Sequence, residues 1–379
     1  MPELHAKLSP SAGERWFNCP GSVVLAEGLP GKTSVHAEEG IRAHDMGESI
    51  LKNKPLISPD PEMLKNVRVY TEFVEDLYNN GGGLRMVEKR VDAAENVWGT
   101  ADAIVWQPDT ATLHVVDLKY GIGVGVEVRG NLQLKIYALA ALLTLKLPAK
   151  TICVSIVQPR HPHPDGPIRT VEYDAVDLLD FHADLSEAIL KVTWANNAKL
   201  MKDKPEWIRQ HLFPSEKACH WCLAAPTCPK LREKSMDLAK AAFTPGTVYD
   251  AKQLSHVLDN LGLMESWIKN VREFAASEAE QGRTPPGYKL VAKRATRRWK
   301  TDEGAASVLI QGEYLSQHEL YETKIISPAG VEKILGKTHS DILESLTTKE
   351  SSGYSLVPES DKRIAVRVDA QSAFSVVKQ

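Results

Sequence analysis

Between Leu84 and Gln158 the sequence writes three strand-like runs, one nearly uninterrupted apolar helix-length run, and a fourth apolar strand-like run. That order constrains the fold more than any other feature. The first three runs are Leu84–Val91, Trp98–Trp106 and Thr112–Leu118. They are rich in β-branched and aromatic residues or alternate in polarity, and Pro108-Asp109 marks a turn between the last two. Leu132–Leu145 is apolar on every face, which predicts a buried helix. Thr151–Gln158 is mostly apolar and predicts an interior strand, whereas Arg169–Tyr173 predicts an edge strand. Helices are expected over Ser34–Leu51, Pro61–Tyr78 and Asp174–Met201. The predicted fold class is α/β: a mixed central β-sheet flanked by helices.

The chain has 379 residues, 43% hydrophobic and 25% charged. That is ordinary for a globular protein able to bury a core without covalent staples. The longest apolar stretch, around Ala138–Leu145, is too short to span a bilayer, and no basic and apolar leader follows Met1. A cytoplasmic protein with no membrane partner is the expectation. A net charge of −3 does not advertise nucleic-acid binding, but a local basic strip can bind phosphate on a nearly neutral chain. Residues 1–232 are expected to form one domain and residues 233–379 an α+β accessory domain that binds DNA or a partner.

Chemistry concentrates at the end of the third strand. Asp117 and Lys119 in Val116-Asp117-Leu118-Lys119 share one face by strand alternation. A hairpin brings Asp102, in Gly99-Thr100-Ala101-Asp102, to the same end of the sheet. Two carboxylates at one point suit Mg²⁺ or Mn²⁺, and a lysine beside them can hold a phosphate or orient a water. His44 lies four residues from both Gly40 and Glu48 on one helical face, and could add a nitrogen ligand. Gly40 is expected to let this helix approach the sheet closely. Gln133 and Tyr137, four apart on the buried helix, face the same way and can orient the lysine, the water or a DNA backbone.

The five cysteines are odd in number, so a disulfide framework is not expected. Cys219, Cys222 and Cys228 form a C-x2-C-x5-C group, with Cys19 far upstream. Four thiolates suit either zinc or an iron–sulfur cluster. Cys153, in an apolar strand, reads as a core residue.

The set Gly40…His44, Gly99-x-x-Asp102, Asp117-x-Lys119 and Gln133-x3-Tyr137 resembles the RecB-like branch of the PD-(D/E)XK nucleases, whose motifs come in this order. The resemblance covers residues 15–232 and implies a restriction-endonuclease-like core. It implies metal ligation by His44, Asp102, Asp117 and the Leu118 carbonyl, with catalysis by Lys119. It also implies a [4Fe–4S] cluster on Cys19, Cys219, Cys222 and Cys228, as in AddB-type and CRISPR-adaptation exonucleases, with zinc as the alternative. The expected activity is a metal-dependent DNA exonuclease in phage replication, recombination or repair. Its substrate would be single-stranded DNA or DNA with single-stranded ends, and a helicase or recombination protein is a candidate partner. The competing expectation is an accessory nucleic-acid-binding protein of the same fold with little activity.

Lys289, Lys293, Arg294, Arg297, Arg298 and Lys300, interleaved with Tyr288 and Trp299, form a basic strip of the kind that binds single strands. The segment Ser327–Lys337 resembles the tail of an uncharacterised phage and prophage protein family.

Overall fold

A computed structural model describes residues 6–366 except 30, 32–34, 57–59, 82, 243–249, 294–295, 321–324, 326, 336–339, 351–352 and 359–362. The chain divides into two compact units, Met1–Ile268 and Lys269–Gln379.

The first unit opens with two short helices, α1 (Gly13–Asn18) and α2 (Ser22–Leu25), and two long ones, α3 (Val35–Leu51) and α4 (Pro61–Asn79). Asp60 caps α4 by accepting from the Met63 amide at 2.9 Å, with Pro61 at the first helical position. Strands β1 (Leu84–Ala94), β2 (Val97–Gln107) and β3 (Thr112–Leu118) follow. Next come α5 (Leu132–Leu145), β4 (Thr151–Val157), β5 (Ile168–Asp174) and α6 (Ala175–Asn197).

The five strands form one mixed sheet in chain order, with β3 and β4 parallel and every other pair antiparallel. The crossover between the parallel strands is α5, as a parallel pair requires. Its apolar character has a direct cause: Leu134, Ile136, Tyr137 and Ala138–Ala141 are all buried. Asn131 caps it by accepting from the Leu134 amide at 3.1 Å. Lys146 ends it in the left-handed region, at φ 53°.

The sheet is covered on both faces, and its alternation sorts the side chains. Ile104, Trp106, Leu113, Val115, Ile152 and Ile156 pack with α5 and α6. Ala103, Val105, Val116, Leu118 and Val157 pack with Ala43 and Leu51 of α3 and with Met63, Val67, Tyr70 and Val74 of α4. Fully burying one such side chain stabilises by about 1.5–3 kcal/mol. Gly40 of α3 has no heavy atom within 4 Å of where a Cβ would sit, so the expected close approach is not there. It lies two turns later and against a helix: a Cβ on Gly47 would stand 3.1 Å from the Tyr70 ring.

Beyond α6 come α7 (Pro205–His211), α8 (Glu216–Cys219), α9 (Pro229–Ala242) and α10 (Ala251–Glu280). In the second unit Tyr288–Ala292 pairs with Tyr354–Pro358, and Thr296–Trp299 with Thr347–Glu350. Four short helices there share a core of Ala306, Leu309, Leu315, Leu320, Val331 and Leu343. Of the basic strip, Arg294 lies outside the described residues, as do the side chains of Arg297 and Arg298. Gly336 and Lys337 of the tail-like segment lie outside them too. Among the described residues no helix is long and apolar enough to cross a membrane.

Candidate active site

The ladder between β2 and β3 ends at Ala103 opposite Val116. One residue beyond that pair stand Asp102 and Asp117, where the strands part. The freed amide of Leu118 donates to Asp102 Oδ2 at 2.7 Å, which fixes one oxygen of that carboxylate. The other, Oδ1, lies 3.3 Å from Nδ1 of His44. Asp102 and His44 therefore meet at the sheet's end, although α3 packs on the face opposite α5.

On the α5 side, three residues close a ring of contacts. Lys119 Nζ lies 2.7 Å from Asp117 Oδ2 and donates to Gln133 Oε1 at 3.3 Å. Gln133 Nε2 donates to Asp117 Oδ1 at 3.3 Å. Gln133 also hydrogen-bonds the Tyr137 hydroxyl. Tyr137 in turn needs Gly99: a Cβ there would meet its hydroxyl and ring at 2.9 Å. This gives Gly99 a steric reason for being glycine. Because Gln133 grips both members of the ion pair, Gln133→Leu is expected to lower turnover by up to ~100-fold through misplacement of Lys119. KM should change little, and steady-state kinetics checks the split.

The electrostatics follow from burial. Asp117 is 6% exposed, and burial pushes its carboxyl upward, with Lys119 offsetting part of that rise. Burial alone would lower Lys119, but the Asp117 carboxylate outweighs it and holds the ammonium charged. Burial likewise pulls His44 down, yet its hydrogen bond to Asp102 and the charges of Asp102 and Asp117 raise it to about 9. At pH 7 the metal-free His44 thus carries a proton. A metal needs the neutral imidazole. Binding of Mn²⁺ is therefore expected to release about one proton from His44, with affinity rising from pH 7 towards 9. Calorimetry in two buffers of different ionisation enthalpy measures that proton; equal heats in both would contradict it.

Sequence reasoning missed Glu88. It stands in β1 between the pairs Val87–Ala103 and Lys89–Ala101, which places it across from Asp102. One ligand atom each from His44, Glu88 and Asp102 lies within 4.8 Å of the others. Among the described residues no other set of three or more such side chains does so. Glu88 has φ 51°, a left-handed conformation that costs about 1–2 kcal/mol for a residue with a Cβ. Burial, then the Asp102 charge, raises its carboxyl to about 7. The tight turn at Glu95-Asn96 alone would have put Lys89 across from Asp102; a β-bulge between Asp92 and Ala94 shifts the register by one residue, and no sequence pattern marks it.

A second constellation lies elsewhere in the same unit. Cys19, Cys219, Cys222 and Cys228 all line one small cavity, although Cys19 is 200 residues from Cys219. Gly21 permits the approach: its amide donates to His211 O at 2.8 Å, and a Cβ would meet that oxygen, Leu212 and Trp207 within 2.9 Å. The Phe213 amide donates to Cys19 Sγ at 3.3 Å. No three of the four sulfurs lie mutually within 4.8 Å. Burial pushes all four thiols up, Cys19 to about 11 and Cys219 to about 12. Without a metal they are thiols at neutral pH. Cys153, on β4, is not among them.

A family model described as "Protein of unknown function (DUF2800)" matches residues 5–364. The chain belongs to the DUF2800 family. Among solved structures, this DUF2800 protein is similar to SSO0001 at 14% identity, over 60% of this chain and 89% of that one, with a TM-score of 0.26. It is also similar to a phage-related exonuclease from Haemophilus somnus 129PT, at 13% identity, over 45% and 90% of the two chains, with a TM-score of 0.22. The alkaline exonuclease LHK-Exo from Laribacter hongkongensis is 11% identical over 49% and 98%, again with a TM-score of 0.22.

In this DUF2800 protein the structure brings His44, Asp102, Asp117, Lys119, Gln133 and Tyr137 to one end of the sheet and adds Glu88. It gathers the four cysteines around a separate cavity.

Proposed function

We propose that this protein is a divalent-metal-dependent deoxyribonuclease, acting as an exonuclease on single-stranded DNA or single-stranded ends. One observation carries the reading: a charged lysine is held by a buried aspartate at a strand end where two further carboxylates and a histidine converge. The donor set fits a hard cation. Carboxylates dominate it, and one imidazole tilts it towards Mn²⁺ over Mg²⁺. His44, Glu88, Asp102 and Asp117 would hold the ion, with the Leu118 carbonyl beside them.

When bound, such an ion supplies Lewis acidity and a water of lowered pKa. Lys119 is a cation here, so it donates rather than accepts a proton. It would hold the oxygen of the attacking water or of the phosphate and stabilise charge that develops there. Gln133 and Tyr137 keep it aimed. RecB-like nucleases are the branch whose motifs the chain resembles, and phage replication or recombination is the setting proposed for it. Incubation of end-labelled oligonucleotides with Mn²⁺, blocked at the 5′ or the 3′ end, tests the activity and its direction. Binding of DNA with no cleavage under any divalent ion would favour an accessory role.

The four-cysteine cavity is proposed to hold a [4Fe–4S] cluster. A tetrahedral zinc site places sulfurs about 3.8 Å apart, from Zn–S bonds of about 2.3 Å. No three of the four sulfurs lie mutually within 4.8 Å, and the resemblance to iron–sulfur nucleases carries the choice of cluster over zinc. Brown anaerobically purified protein, with iron and acid-labile sulfide in equal amounts, is the expected result; zinc alone would refute it.

A further inference from the structure

Immediately after Lys119 and the buried Tyr120 the chain reads Gly121-Ile122-Gly123-Val124-Gly125-Val126. This loop has no charged side chain, yet its backbone is tied down from below by buried polar groups. Gln158, 1% exposed, donates to the carbonyls of Gly121 at 3.1 Å and Val124 at 2.8 Å. Its Oε1 accepts from the Val126 amide at 3.0 Å and from Arg169 Nη2 at 2.9 Å. Arg169, 4% exposed, also donates to the Val126 carbonyl at 2.9 Å. His161 Nδ1 donates to the Ile122 carbonyl at 2.8 Å. Gly125 permits that contact, because a Cβ would stand 2.6 Å from His161 Nε2. Arg160 braces the stem, lying 4.5 Å over the Tyr120 ring and 2.8 Å from Glu39 of α3.

Against this fixed backbone, Ile122 and Val124 point outward, 52% and 59% exposed. Single exposed apolar residues are common on surfaces. Two on a loop with four of its six carbonyls held by side chains are a different case. Ordering such a loop costs conformational entropy, and burying Gln158 and Arg169 costs desolvation. The result is a firm apolar surface beside the reactive lysine. Three residues of chain reach at most about 11 Å, so Ile122 lies within that distance of the Lys119 backbone. Stacked bases in a strand are about 3.4 Å apart, so that reach covers roughly three nucleotides.

We propose that residues 121–126 form a rigid shelf that seats the base or sugar of a nucleotide next to the cleaved phosphate. Ile122 and Val124 are the contact surface, and Gln158 and Arg169 are positioning residues. The intervening glycines let the strand approach closely, and the absence of charge selects the apolar face of a nucleotide over its phosphate. The inference rests on the nuclease reading and specifies how that site grips its substrate.

The test uses the full chain and a single-stranded oligonucleotide with 2-aminopurine in its last three positions, bound in Ca²⁺ and cleaved in Mn²⁺. The double variant Ile122→Ser/Val124→Ser changes only exposed side chains. It is expected to lose the fluorescence change seen with the parent and to raise KM about tenfold, with kcat and Mn²⁺ affinity kept. Gln158→Glu keeps the acceptor for Val126 and Arg169 but removes both donors to the loop carbonyls. It is expected to release the shelf and give the same KM defect. A parent that cleaves DNA while the double variant matches it in KM and fluorescence overturns the shelf alone. A parent that cleaves no DNA overturns the nuclease reading and the shelf with it.

Discussion

Lys119→Met is expected to lower DNA cleavage by about 100- to 1,000-fold while Mn²⁺ binding is kept or tightened. The loss is the usual consequence of removing one preorganised donor from a reacting centre. The gain in metal binding has a local cause. Lys119 Nζ lies 2.7 Å from Asp117 Oδ2, where it competes with any other cation for that carboxylate. Methionine fills similar space without the charge. The metal-free variant leaves a buried carboxylate without its counter-ion, and burial already pushes Asp117 upward. A raised folded-state pKa favours the protonated acid. Stability of the metal-free variant should therefore fall as pH rises above the ordinary carboxylate range, and Mn²⁺ should restore it. Cleavage within tenfold of the parent would remove Lys119 from the chemistry.

Cys219→Ser is expected to lower the melting temperature by about 10 °C. Binding energy at a four-cysteine site is folding energy, because the unfolded chain has no site. A loss of about 2–5 kcal/mol shifts the midpoint by roughly 2–4 °C per kcal/mol in a unit of this size. The effect should be this large because the cavity joins distant segments: Cys19 follows α1, whereas Cys219, Cys222 and Cys228 lie from α8 to the start of α9. Cys153→Ser is the internal control, since Cys153 is half-buried on β4 away from the cavity. Equal, small shifts for both variants would show that the four thiols bind nothing.

The elements were legible where local pattern decides them. Leu132–Leu145 was set by its apolar run, and Thr112–Leu118 by its β-branched content, because each buries what its pattern exposes. Asp117 and Lys119 were legible from strand alternation, and their 2.7 Å contact follows from it. Glu88 was not legible, because its place depends on the β1–β2 register, and a left-handed residue inside a strand has no composition signal. Gly40 misled for a related reason. Helical spacing says which residues share a face, not what that face meets, and the packing glycine is Gly47 against Tyr70. The Gln158–Arg169 pair was invisible too, since two polar residues 11 apart say nothing of a shared loop until the sheet is folded.

The proposed role of Asp117, at the end of β3, is to hold with Asp102 and Glu88 the metal that cleaves DNA. Its most direct test is degradation of labelled single-stranded DNA by the parent and by Asp117→Ala, with Mn²⁺ and with chelator. Shortened products are predicted only for the parent with Mn²⁺, with a loss of about 1,000-fold or more in the variant. Cleavage that survives Asp117→Ala, or a parent that cleaves nothing although it binds Mn²⁺, would contradict the account.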